Sequence, residues 1–361
     1  MSNQIKNISI IGLGLIGGSI AKALKKTDLN ITISAFDKDD ILSAAIDERI
    51  IDKELSSINE SINSDLIFLC LPVELSLEYL KDLAPKLKTG QIITDVSGVK
   101  GVFQKEWEKL NSKGIYIGGH PMTGKEIGGY KNSDPLLFEN SVYILSDIYK
   151  DSKQIDSFVE IIKALGARIT FLNPFLHDKV VANVSHLPQL LSVSLVNNSA
   201  RKENGINFSD FAAGGFRDMT RIAASDFSIW EKVIQFNKEE ILSAINKLKN
   251  ELGTIESFIQ KNEYDSLAEK FESSRIKRDE IPKDTKGFLT QLHDLFVFVR
   301  DEPGVISKIS TALFNNNINI KDIELLKIRE GTGGTFRLSF DSDQDVKRAG
   351  EIIRQEGFEI K

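Results

Sequence analysis

His120 is the residue of this chain whose surroundings in the sequence best suit proton transfer. The chain has four histidines, and this one follows a short segment that ends in two glycines, Tyr116–Gly119. Since glycines leave space around a neighbouring side chain, we expect the imidazole to lie accessible at the end of a strand. A neutral imidazole can act as a general base near neutral pH. A loop histidine that caps a neighbouring helix is the alternative.

Three glycines near the N-terminus have the spacing of a dinucleotide-binding turn. Gly12, Gly14 and Gly17 follow an apolar segment, Ile8–Ile11, in the pattern G-x-G-x-x-G. In this pattern the first glycine makes a tight turn, the second admits the pyrophosphate, and the third lets the helix pack closely on the strand. The N-terminal N–H groups of that helix would face the phosphates. A glycine-rich turn without a nucleotide is the alternative interpretation.

An acidic residue after the next predicted strand indicates which dinucleotide binds. Asp37 follows Ile31–Phe36, and a carboxylate there accepts hydrogen bonds from the ribose hydroxyls and repels a 2′-phosphate. The sequence therefore predicts NAD rather than NADP, although the neighbouring Lys38 partly offsets that repulsion. We expect further cofactor contacts from the helix after the glycines and from the end of the third predicted strand, at Leu15, Ile16, Leu71, Pro72 and Val73.

Composition excludes several classes of protein. The chain has 361 residues, 41% hydrophobic and 27% charged, which is typical of a soluble protein of two or three domains. A net charge of −6 provides no basic surface for nucleic acid, and the sequence has no apolar run of the roughly 18 residues that a membrane span needs. The single cysteine, Cys70, excludes an internal disulfide and suits a reducing compartment, so we expect a cytoplasmic protein. The histidines lack metal-ligand spacing, and we predict no metal site.

The elements that must position these residues alternate between strands and helices up to about residue 145. Strands are predicted at Ile8–Ile11, Ile31–Phe36, Leu66–Leu71, Gln91–Val96, Tyr116–Gly118 and Tyr143–Leu145, and helices at Ser19–Lys26, Ser76–Leu87 and Gly101–Leu110. This alternation predicts an α/β domain of Rossmann type over residues 1–170, built on a parallel sheet. In such sheets ligands bind beyond the carboxyl ends of the strands, where His120 and the glycine turn are expected.

The middle of the chain, residues 171–280, is predicted to be all-helical. One long helix is expected at Phe175–Ala200 and another at about Phe227–Gln260. Apolar residues of the second helix recur in alternate steps of four and three, at Ile241, Ile245, Leu248, Leu252, Ile255 and Ile259. Such a stripe is typical of a helix–helix seam. We expect a homodimer through this domain, with an intramolecular core as the alternative.

A charged stretch, Arg275–Lys286, reads as the connection to a third domain, with the linker at residues 281–287. Beyond it, residues 288–361 show the order strand, helix, strand, strand, helix, strand, which is typical of a ferredoxin-like unit. The strands are expected at Leu292–Arg300, Ile318–Ile328 and Thr335–Phe340 and in a short terminal segment, and the helices at Pro303–Phe314 and Asp345–Glu356.

Five motifs in order along the chain resemble those of the prephenate dehydrogenases of tyrosine biosynthesis. They are Gly12–Gly17 with Asp37, Thr94–Lys100, Gly119–Met122 with Glu126, Val184–Pro188, and Gly214–Arg221. The C-terminal unit, in which Asp301–Gly304 opens a helix, resembles an ACT regulatory domain. The resemblance implies NAD-dependent oxidative decarboxylation of prephenate to 4-hydroxyphenylpyruvate and CO2, and feedback regulation by tyrosine or a related aromatic amino acid.

The same resemblance implies roles for individual residues. His120 would be the catalytic base on the ring 4-hydroxyl, and Arg221 would bind a substrate carboxylate. Ser97 would assist His120, although many members of the family have Gly-Ser where this chain has Ser97-Gly98. The remaining residues that the resemblance implies for the substrate pocket are Lys125, Glu126, His186 and Trp230.

Two other functions remain open from the sequence. Arogenate dehydrogenases perform the same chemistry on a substrate that carries an ammonium group instead of a keto group. A non-catalytic sensor would use the nucleotide-binding scaffold and bind an amino acid at the C-terminal unit. That unit could also serve dimerisation alone.

Overall fold

Eight strands of the N-terminal part form one sheet in the order β3-β2-β1-β4-β5-β6-β7-β8. They are β1 (Asn7–Ile11), β2 (Thr32–Phe36), β3 (Lys53–Glu54), β4 (Leu66–Leu69), β5 (Ile92–Asp95), β6 (Ile115–Pro121), β7 (Val142–Ser146) and β8 (Arg168–Leu172). Strands β1 to β6 are parallel, whereas β7 is antiparallel to β6. The computed structural model describes residues 4–125, 127–280, 292–329 and 333–360. They belong to two compact units, residues 1–273 and 274–361.

This sheet confirms the predicted Rossmann-type fold and corrects it in detail. It is mixed rather than parallel, because β6 and β7 are joined by a loop rather than by the crossover helix that parallel neighbours require. Strand β6 is longer than predicted and includes His120. Two strands, β3 and β8, were not predicted: β3 is two charged residues long, and β8 has no fully buried residue.

Helices cover both faces of the sheet. They are α1 (Leu15–Leu24), α2 (Asp39–Asp47), α3 (Val73–Leu83), α4 (Gly101–Trp107) and α5 (Asp156–Ala164). In β4, Leu66 and Phe68 pack in one core cluster with α1 and α5, while Ile67 and Leu69 pack in another with α3 and α4. Because side chains alternate along a strand, a wholly apolar strand must be covered on both sides.

The helical region departs from the prediction of two long helices. Its helices are α6 (Pro174–Val181), α7 (Leu187–Ser199), α8 (Gly214–Thr220), α9 (Phe227–Phe236), α10 (Lys238–Gln260) and α11 (Tyr264–Glu280), with short strands β9 (Lys202–Glu203) and β10 (Ile206–Asn207) between α7 and α8. A π-helical turn at Ala182–His186 joins α6 to α7. The second predicted helix is broken at Asn237, which leaves helical geometry with φ −117° and ψ 25°. Among the described helices, none is long and apolar enough to cross a membrane.

Part of the expected connection is helical. Residues 275–280 belong to α11, so this part of the charged stretch continues the helical region, which was predicted to extend to residue 280. Arginine, lysine and glutamate are good helix formers, which explains why a charged stretch continues the helix. The predicted linker at residues 281–287 lies outside the described residues.

The C-terminal unit has the predicted βαββαβ order. Its elements are β11 (His293–Val299), α12 (Val305–Asn315), β12 (Asp322–Arg329), β13 (Gly333–Phe340), α13 (Asp343–Gln355) and β14 (Glu359–Ile360). The strands form an antiparallel sheet in the order β12-β13-β11-β14. Residues from the sheet and from both helices, among them Val297, Leu313 and Ile353, form a separate hydrophobic core.

Candidate active site

His120 lies in the part of β6 that extends past the end of β5. Gly118 pairs with Asp95, the last residue of β5, and the following residues Gly119, His120 and Pro121 pair with β7. A Cβ at Gly119 would lie 2.7 Å from the main-chain oxygen of Asp95, so this close crossing requires glycine. The strand therefore presents the half-buried imidazole at the carboxyl edge of the sheet, as the sequence predicted.

A chain of hydrogen bonds joins His120 to a carboxylate of the helical region. Nδ1 of His120 lies 2.8 Å from Nε2 of His177, and the two rings meet edge to face with centroids 5.0 Å apart. Nδ1 of His177 lies 2.9 Å from Oδ1 of Asp178. Helix α6 carries both partners, so the helical region completes a site that begins on the sheet.

The Asp178 carboxylate is held at the start of α4. Its Oδ1 accepts a hydrogen bond of 2.7 Å from the main-chain N–H of Lys100, and its Oδ2 accepts one of 2.7 Å from that of Gly101. A Cβ at Gly101 would approach Oδ2 to 2.7 Å. Because main-chain N–H groups at the helix start donate to both oxygens, Asp178 is a fixed hydrogen-bond acceptor.

Burial favours the neutral form of His120 and His177. It lowers the pKa of His120 well below its ordinary value, and nearby positive charge, including the Lys100 ammonium, lowers it further. Burial also lowers the pKa of His177, although the hydrogen bond to Asp178 opposes that effect. Two neutral imidazoles in contact can share one hydrogen between them, which a pair of imidazolium ions cannot do.

A buried polar cluster supports the loop that faces His120. The Asp95 carboxylate forms an ion pair with Lys100 and accepts hydrogen bonds from the Tyr116 hydroxyl at 2.8 Å and from the main-chain N–H of Ser97 at 2.9 Å. Asp95 is 0% exposed and Lys100 is 2% exposed. Because burying charges is stable only when they are paired, this cluster holds the loop between β5 and α4 in one conformation.

Gly98 of the loop between β5 and α4 lies beside the His120 ring. A Cβ at Gly98 would lie 3.8 Å from both Cε1 and Nε2 of His120. The hydroxyl of Ser97 is buried and has no hydrogen-bond partner among the described residues. The exchanged order of serine and glycine thus leaves the Nε2 side of the imidazole facing a residue without a side chain, and no hydrogen bond joins the Ser97 hydroxyl to His120 in the described part of the chain.

A second buried histidine is held by the break between α9 and α10. The side-chain amide of Asn237 donates hydrogen bonds to the main-chain oxygen of Asp178 at 2.8 Å and to Nδ1 of His186 at 3.2 Å. The His186 ring packs edge-on against Trp230 at 5.9 Å. Burial lowers the pKa of His186 to about 4. His186 is therefore neutral at pH 7, and its hydrogen is on Nε2 because Nδ1 is the acceptor.

For two other predicted pocket residues, Arg221 and Lys125, the structure describes the local surroundings. Arg221 begins a short 3₁₀ turn whose next residue, Ile222, accepts a 2.9 Å hydrogen bond from Gln189 of α7. The Lys125 ammonium lies 3.1 Å from a carboxylate oxygen of Asp134. Glu126 lies outside the described residues.

The glycine turn has the shape that a dinucleotide pyrophosphate requires. Gly12 has φ +95°, and a Cβ there would lie 2.6 Å from the main-chain oxygen of Cys70. A Cβ at Gly17 would lie 1.9 Å from the main-chain oxygen of Gly12. By contrast, a Cβ at Gly14 would have no described heavy atom within 4 Å. The first and third glycines thus serve the packing of the turn, and the second leaves open space in front of it.

The other predicted cofactor residues surround the same turn. Helix α1 begins with Leu15 and Ile16 directly after Gly14, so its first N–H groups, which have no acceptor within the helix, lie next to this turn. A Cβ at Gly12 would lie 2.8 Å from Cδ2 of Leu71, so the Leu71 side chain borders the turn. Pro72 precedes α3, which begins at Val73. These residues fit a bound dinucleotide, which would lie between the ends of β1 and β4.

Asp37, which is predicted to bind the ribose hydroxyls, also accepts two hydrogen bonds from the main chain. One carboxylate oxygen accepts a 2.6 Å hydrogen bond from the main-chain N–H of Leu13, and the other accepts one of 2.7 Å from that of Lys38. The carboxylate is thereby fixed at the end of β2 beside the glycine turn, where it can meet ribose hydroxyls.

Sequence reasoning missed three residues of this site. His177 and Asp178 were adjacent polar residues in an apolar helix, and Asn237 lay within a stretch that was predicted to be helical throughout. A buried polar group needs a partner, so the His-Asp pair on the apolar stripe was a usable signal. Its partner, 57 positions away in the sequence, could not be identified from periodicity.

Three family models match successive parts of the chain. Residues 20–171 match the nucleotide-binding domain of prephenate dehydrogenase, and residues 173–273 match the prephenate dehydrogenase dimerization domain. Residues 293–358 match the ACT domain.

Two relatives that align with nearly the whole chain are prephenate dehydrogenases. The prephenate dehydrogenase of Bacillus subtilis is 35% identical over 97% of this chain and 96% of its own length. That of Lactococcus lactis is 36% identical over 97% of this chain and 98% of its own length. Among solved structures, Aquifex aeolicus prephenate dehydrogenase, in complex with hydroxyphenyl propionate and NAD+, matches with a TM-score of 0.70 at 31% identity, over 78% of this chain and 100% of that one.

Proposed function

This chain belongs to the prephenate dehydrogenase family, and from that premise we propose that it oxidises and decarboxylates prephenate to 4-hydroxyphenylpyruvate and CO2. NAD, when bound, supplies the acceptor for the hydride that leaves ring C4. His120 takes the proton of the 4-hydroxyl group as the hydride departs. The two electrons of the bond between C1 and its carboxylate enter the ring as CO2 leaves, the ring becomes aromatic, and the proton returns to the phenolic oxygen.

The observation that carries this proposal is the environment of the His120 ring. Nδ1 is occupied by His177, whereas the Nε2 side faces Gly98, which has no side chain. The lowered pKa keeps the imidazole neutral, which is the form that a general base needs before the reaction. The ring lies at the carboxyl edge of the sheet, which also carries the glycine turn.

The tautomer of His186 favours prephenate over arogenate. Asn237 donates to Nδ1 of His186, so Nε2 of the ring carries the N–H donor. A donor can bind the keto oxygen or carboxylate of a pyruvyl group, but it cannot accept a hydrogen bond from an ammonium group. In this proposal His186 contacts the pyruvyl tail, Trp230 forms an aromatic wall and Arg221 binds a carboxylate through its planar guanidinium group.

Three more residues complete the proposed pocket. Ser97 has a buried hydroxyl with no partner among the described residues, which makes it available to the substrate or the nicotinamide. Lys125 and Glu126 are proposed to line the same pocket on the loop after β6. Formation of the Lys125 contact would require the ammonium to leave Asp134.

We also propose how the chain is organised and regulated. Residues 1–170 bind NAD, residues 171–280 form the helical substrate and dimerisation domain, residues 281–287 link it to the last domain, and residues 288–361 regulate the enzyme. The apolar stripe of α10 supports a homodimer, since Leu252 and Ile259 are each 54% exposed. The single cysteine supports a cytoplasmic location.

A cavity in the C-terminal unit is the proposed site for an aromatic amino-acid effector. It measures about 420 Å³ and lies between the start of α12 and strands β12 and β13. Leu325, Val305 and Phe336 provide apolar walls for a ring, while the main chain around Gly304 and Gly334 provides polar groups for an α-amino acid. Tyrosine, the end product of the proposed pathway, is the expected ligand.

Steady-state kinetics with two substrates and two cofactors tests the proposal. NADH or NADPH absorbance is measured for the wild-type protein with prephenate and with arogenate. We expect the highest kcat/KM with prephenate and NAD. The His120→Asn variant should lose about 10²–10⁴-fold in kcat, the range for a general base, with little change in KM for NAD.

Three other results would each contradict a part of this proposal. A kcat/KM preference for arogenate would assign the enzyme to that substrate. No reduced cofactor with either substrate at micromolar protein would favour the non-catalytic sensor. A His120→Asn variant within about threefold of wild type would remove His120 from the mechanism.

A further inference from the structure

We propose that His177 is a positioning residue that holds His120 in one tautomer, with the hydrogen on Nδ1 and with Nε2 free to accept a proton. The effect of this tautomer on catalysis rests on the proposed function. The tautomer itself follows from the donors and acceptors of the buried chain His120–His177–Asp178.

The Asp178 carboxylate is a hydrogen-bond acceptor in a fixed position. Asp178 accepts main-chain N–H groups on both oxygens, from Lys100 and Gly101, at 2.7 Å each. It therefore acts as an acceptor toward His177 as well, and the 2.9 Å contact with Nδ1 of His177 requires a hydrogen on that nitrogen. Asp178 cannot rotate away without losing both main-chain hydrogen bonds.

The hydrogen on Nδ1 of His177 decides how the two imidazoles are hydrogen-bonded. His177 is 0% exposed, and burial disfavours its charged form despite the neighbouring carboxylate. A neutral His177 with its hydrogen on Nδ1 has a lone pair on Nε2. The 2.8 Å contact with Nδ1 of His120 then requires that His120 be the donor. A neutral His120 that carries its hydrogen on Nδ1 has no hydrogen on Nε2, the nitrogen on the side of Gly98.

The opposite tautomer of His120 could not accept a proton at Nε2. If His177 presented an N–H to His120, the hydrogen of a neutral His120 would be on Nε2, and that nitrogen could not accept a proton. The position of Asp178 at the start of α4 thus decides, through His177, which nitrogen of His120 is basic. His177 does not touch the reacting atoms in this account.

Nitrogen NMR of the wild-type protein tests the tautomer without any substrate. The protein is labelled with ¹⁵N-histidine, and the ring signals of His120 among the four histidines are identified by their loss in His120→Asn. At pH 7.5 we expect Nδ1 of His120 to be protonated and Nε2 to be unprotonated. A hydrogen on Nε2 of His120 would overturn the inference, whatever the activity of the enzyme.

A matched pair of variants tests the catalytic consequence. His177→Gln keeps a carbonyl acceptor that can reach Nδ1 of His120, whereas His177→Met has a side chain of similar length and shape with no such acceptor. We expect His177→Met to lower kcat at least about tenfold, a fraction of the general-base contribution. We expect His177→Gln to retain kcat within about threefold of wild type, and both variants to keep the KM for NAD.

The outcomes are separable from those of the proposed function. Equal losses in the Gln and Met variants, or no loss in the Met variant, would mean that the acceptor at this position has no catalytic effect and would overturn the proposal. If the wild-type enzyme reduces NAD with neither substrate, the proposed function fails while the NMR result still decides the tautomer. If both His177 variants fail to fold, the NMR measurement on the wild-type protein still decides the tautomer.

Discussion

At the scale of single residues, the site is built from buried imidazoles that stay neutral. His177 is 0% exposed and His186 is 3% exposed, and Nδ1 of each has a fixed partner, Asp178 for His177 and Asn237 for His186. Burial disfavours the charged form of a histidine, while the fixed partner decides which nitrogen carries the hydrogen. Burial and one hydrogen bond together therefore turn a residue of variable protonation into a defined donor or acceptor.

The lowered pKa values predict a loss of stability in mild acid. The pKa of His186 is lowered to about 4 in the folded protein, and those of His120 and His177 are also lowered, whereas an unfolded histidine titrates near ~6.5. Between these values the unfolded state binds more protons than the folded state. The free energy of unfolding should therefore be highest above about pH 6.5 and should fall as the pH decreases toward 4, by up to about 1.4 kcal/mol per pH unit for each histidine.

Urea unfolding at a series of pH values measures this effect. The His186→Gln variant is the control, because glutamine keeps a polar side chain but has no titratable group. Its free energy of unfolding should change less steeply with pH between 6.5 and 4 than that of the wild type. Identical slopes for the two proteins would show that the pKa of His186 is not lowered in the folded state.

At the scale of elements, the start of α6 decides where His177 and Asp178 lie. Asn173 caps this helix, and its Oδ1 accepts hydrogen bonds from the main-chain N–H groups of Phe175 at 3.0 Å and of Leu176 at 3.3 Å. Pro174 occupies the first helical position, where its missing N–H causes no loss. The cap fixes where α6 begins. It thereby fixes the positions of His177 and Asp178, which lie near the start of this helix.

Removal of this cap should be measurable as a loss of stability. Asn173→Ala leaves two N–H groups without their acceptor, and we expect the free energy of unfolding to fall by about 1 kcal/mol. Asn173→Asp keeps an oxygen acceptor at the same position and should remain within about 0.5 kcal/mol of wild type. Urea denaturation midpoints compare the variants, and equal midpoints for Ala and Asp would exclude a role for the cap.

The π-helical turn between α6 and α7 is a second element-scale feature of the site. It spans Ala182–His186 and ends at the histidine that Asn237 holds. One extra residue per turn changes the direction of every side chain that follows, and such turns are frequent at functional sites. The break at Asn237 has a similar effect, because a residue outside helical geometry can direct its amide to both Asp178 and His186.

At the scale of the whole molecule, the sheet and the helical region each hold part of the chemistry. The sheet carries the glycine turn, Asp37 and His120, while the helical region carries His177, Asp178 and His186. The C-terminal unit has its own hydrophobic core and its own cavity. This division fits an enzyme whose catalytic and regulatory sites are encoded in separate segments.

Two leucines of β12 provide a test of the proposed effector cavity. Leu325 lines the cavity, whereas its neighbour Leu326, at the irregularity in strand pairing, is not among the lining residues. They are 41% and 42% exposed. Leu325→Arg should raise the tyrosine concentration for half-inhibition at least about tenfold, equivalent to ~1.4 kcal/mol of binding free energy, while Leu326→Arg should not.

Dehydrogenase assays with increasing tyrosine measure both variants against wild type. Their activities without tyrosine should be unchanged, since neither residue belongs to the catalytic site. Equal inhibition of the two variants would place the effector elsewhere. Inhibition that survives deletion of residues 288–361 would remove the C-terminal unit from regulation.

The sequence by itself determined the features that depend on near neighbours. The G-x-G-x-x-G spacing, the apolar strands β1, β4 and β5 and the βαββαβ order of the C-terminal unit follow from local periodicity and from turn residues. The chain order of the motifs also identified the family. The type of an element and the chemistry of a short motif are set by residues within a few positions of one another, so both can be read without a fold.

Only the tertiary structure decided which distant groups meet. It showed that β7 reverses direction, that the helix predicted through Asn237 is broken, and that His120 contacts His177, 57 positions away. These contacts depend on how the helical region packs on the edge of the sheet, which no local pattern specifies. Whether His120 presents a bare nitrogen to a substrate is therefore a property of the packed molecule, since it is set by Asp178 through a hydrogen bond between elements.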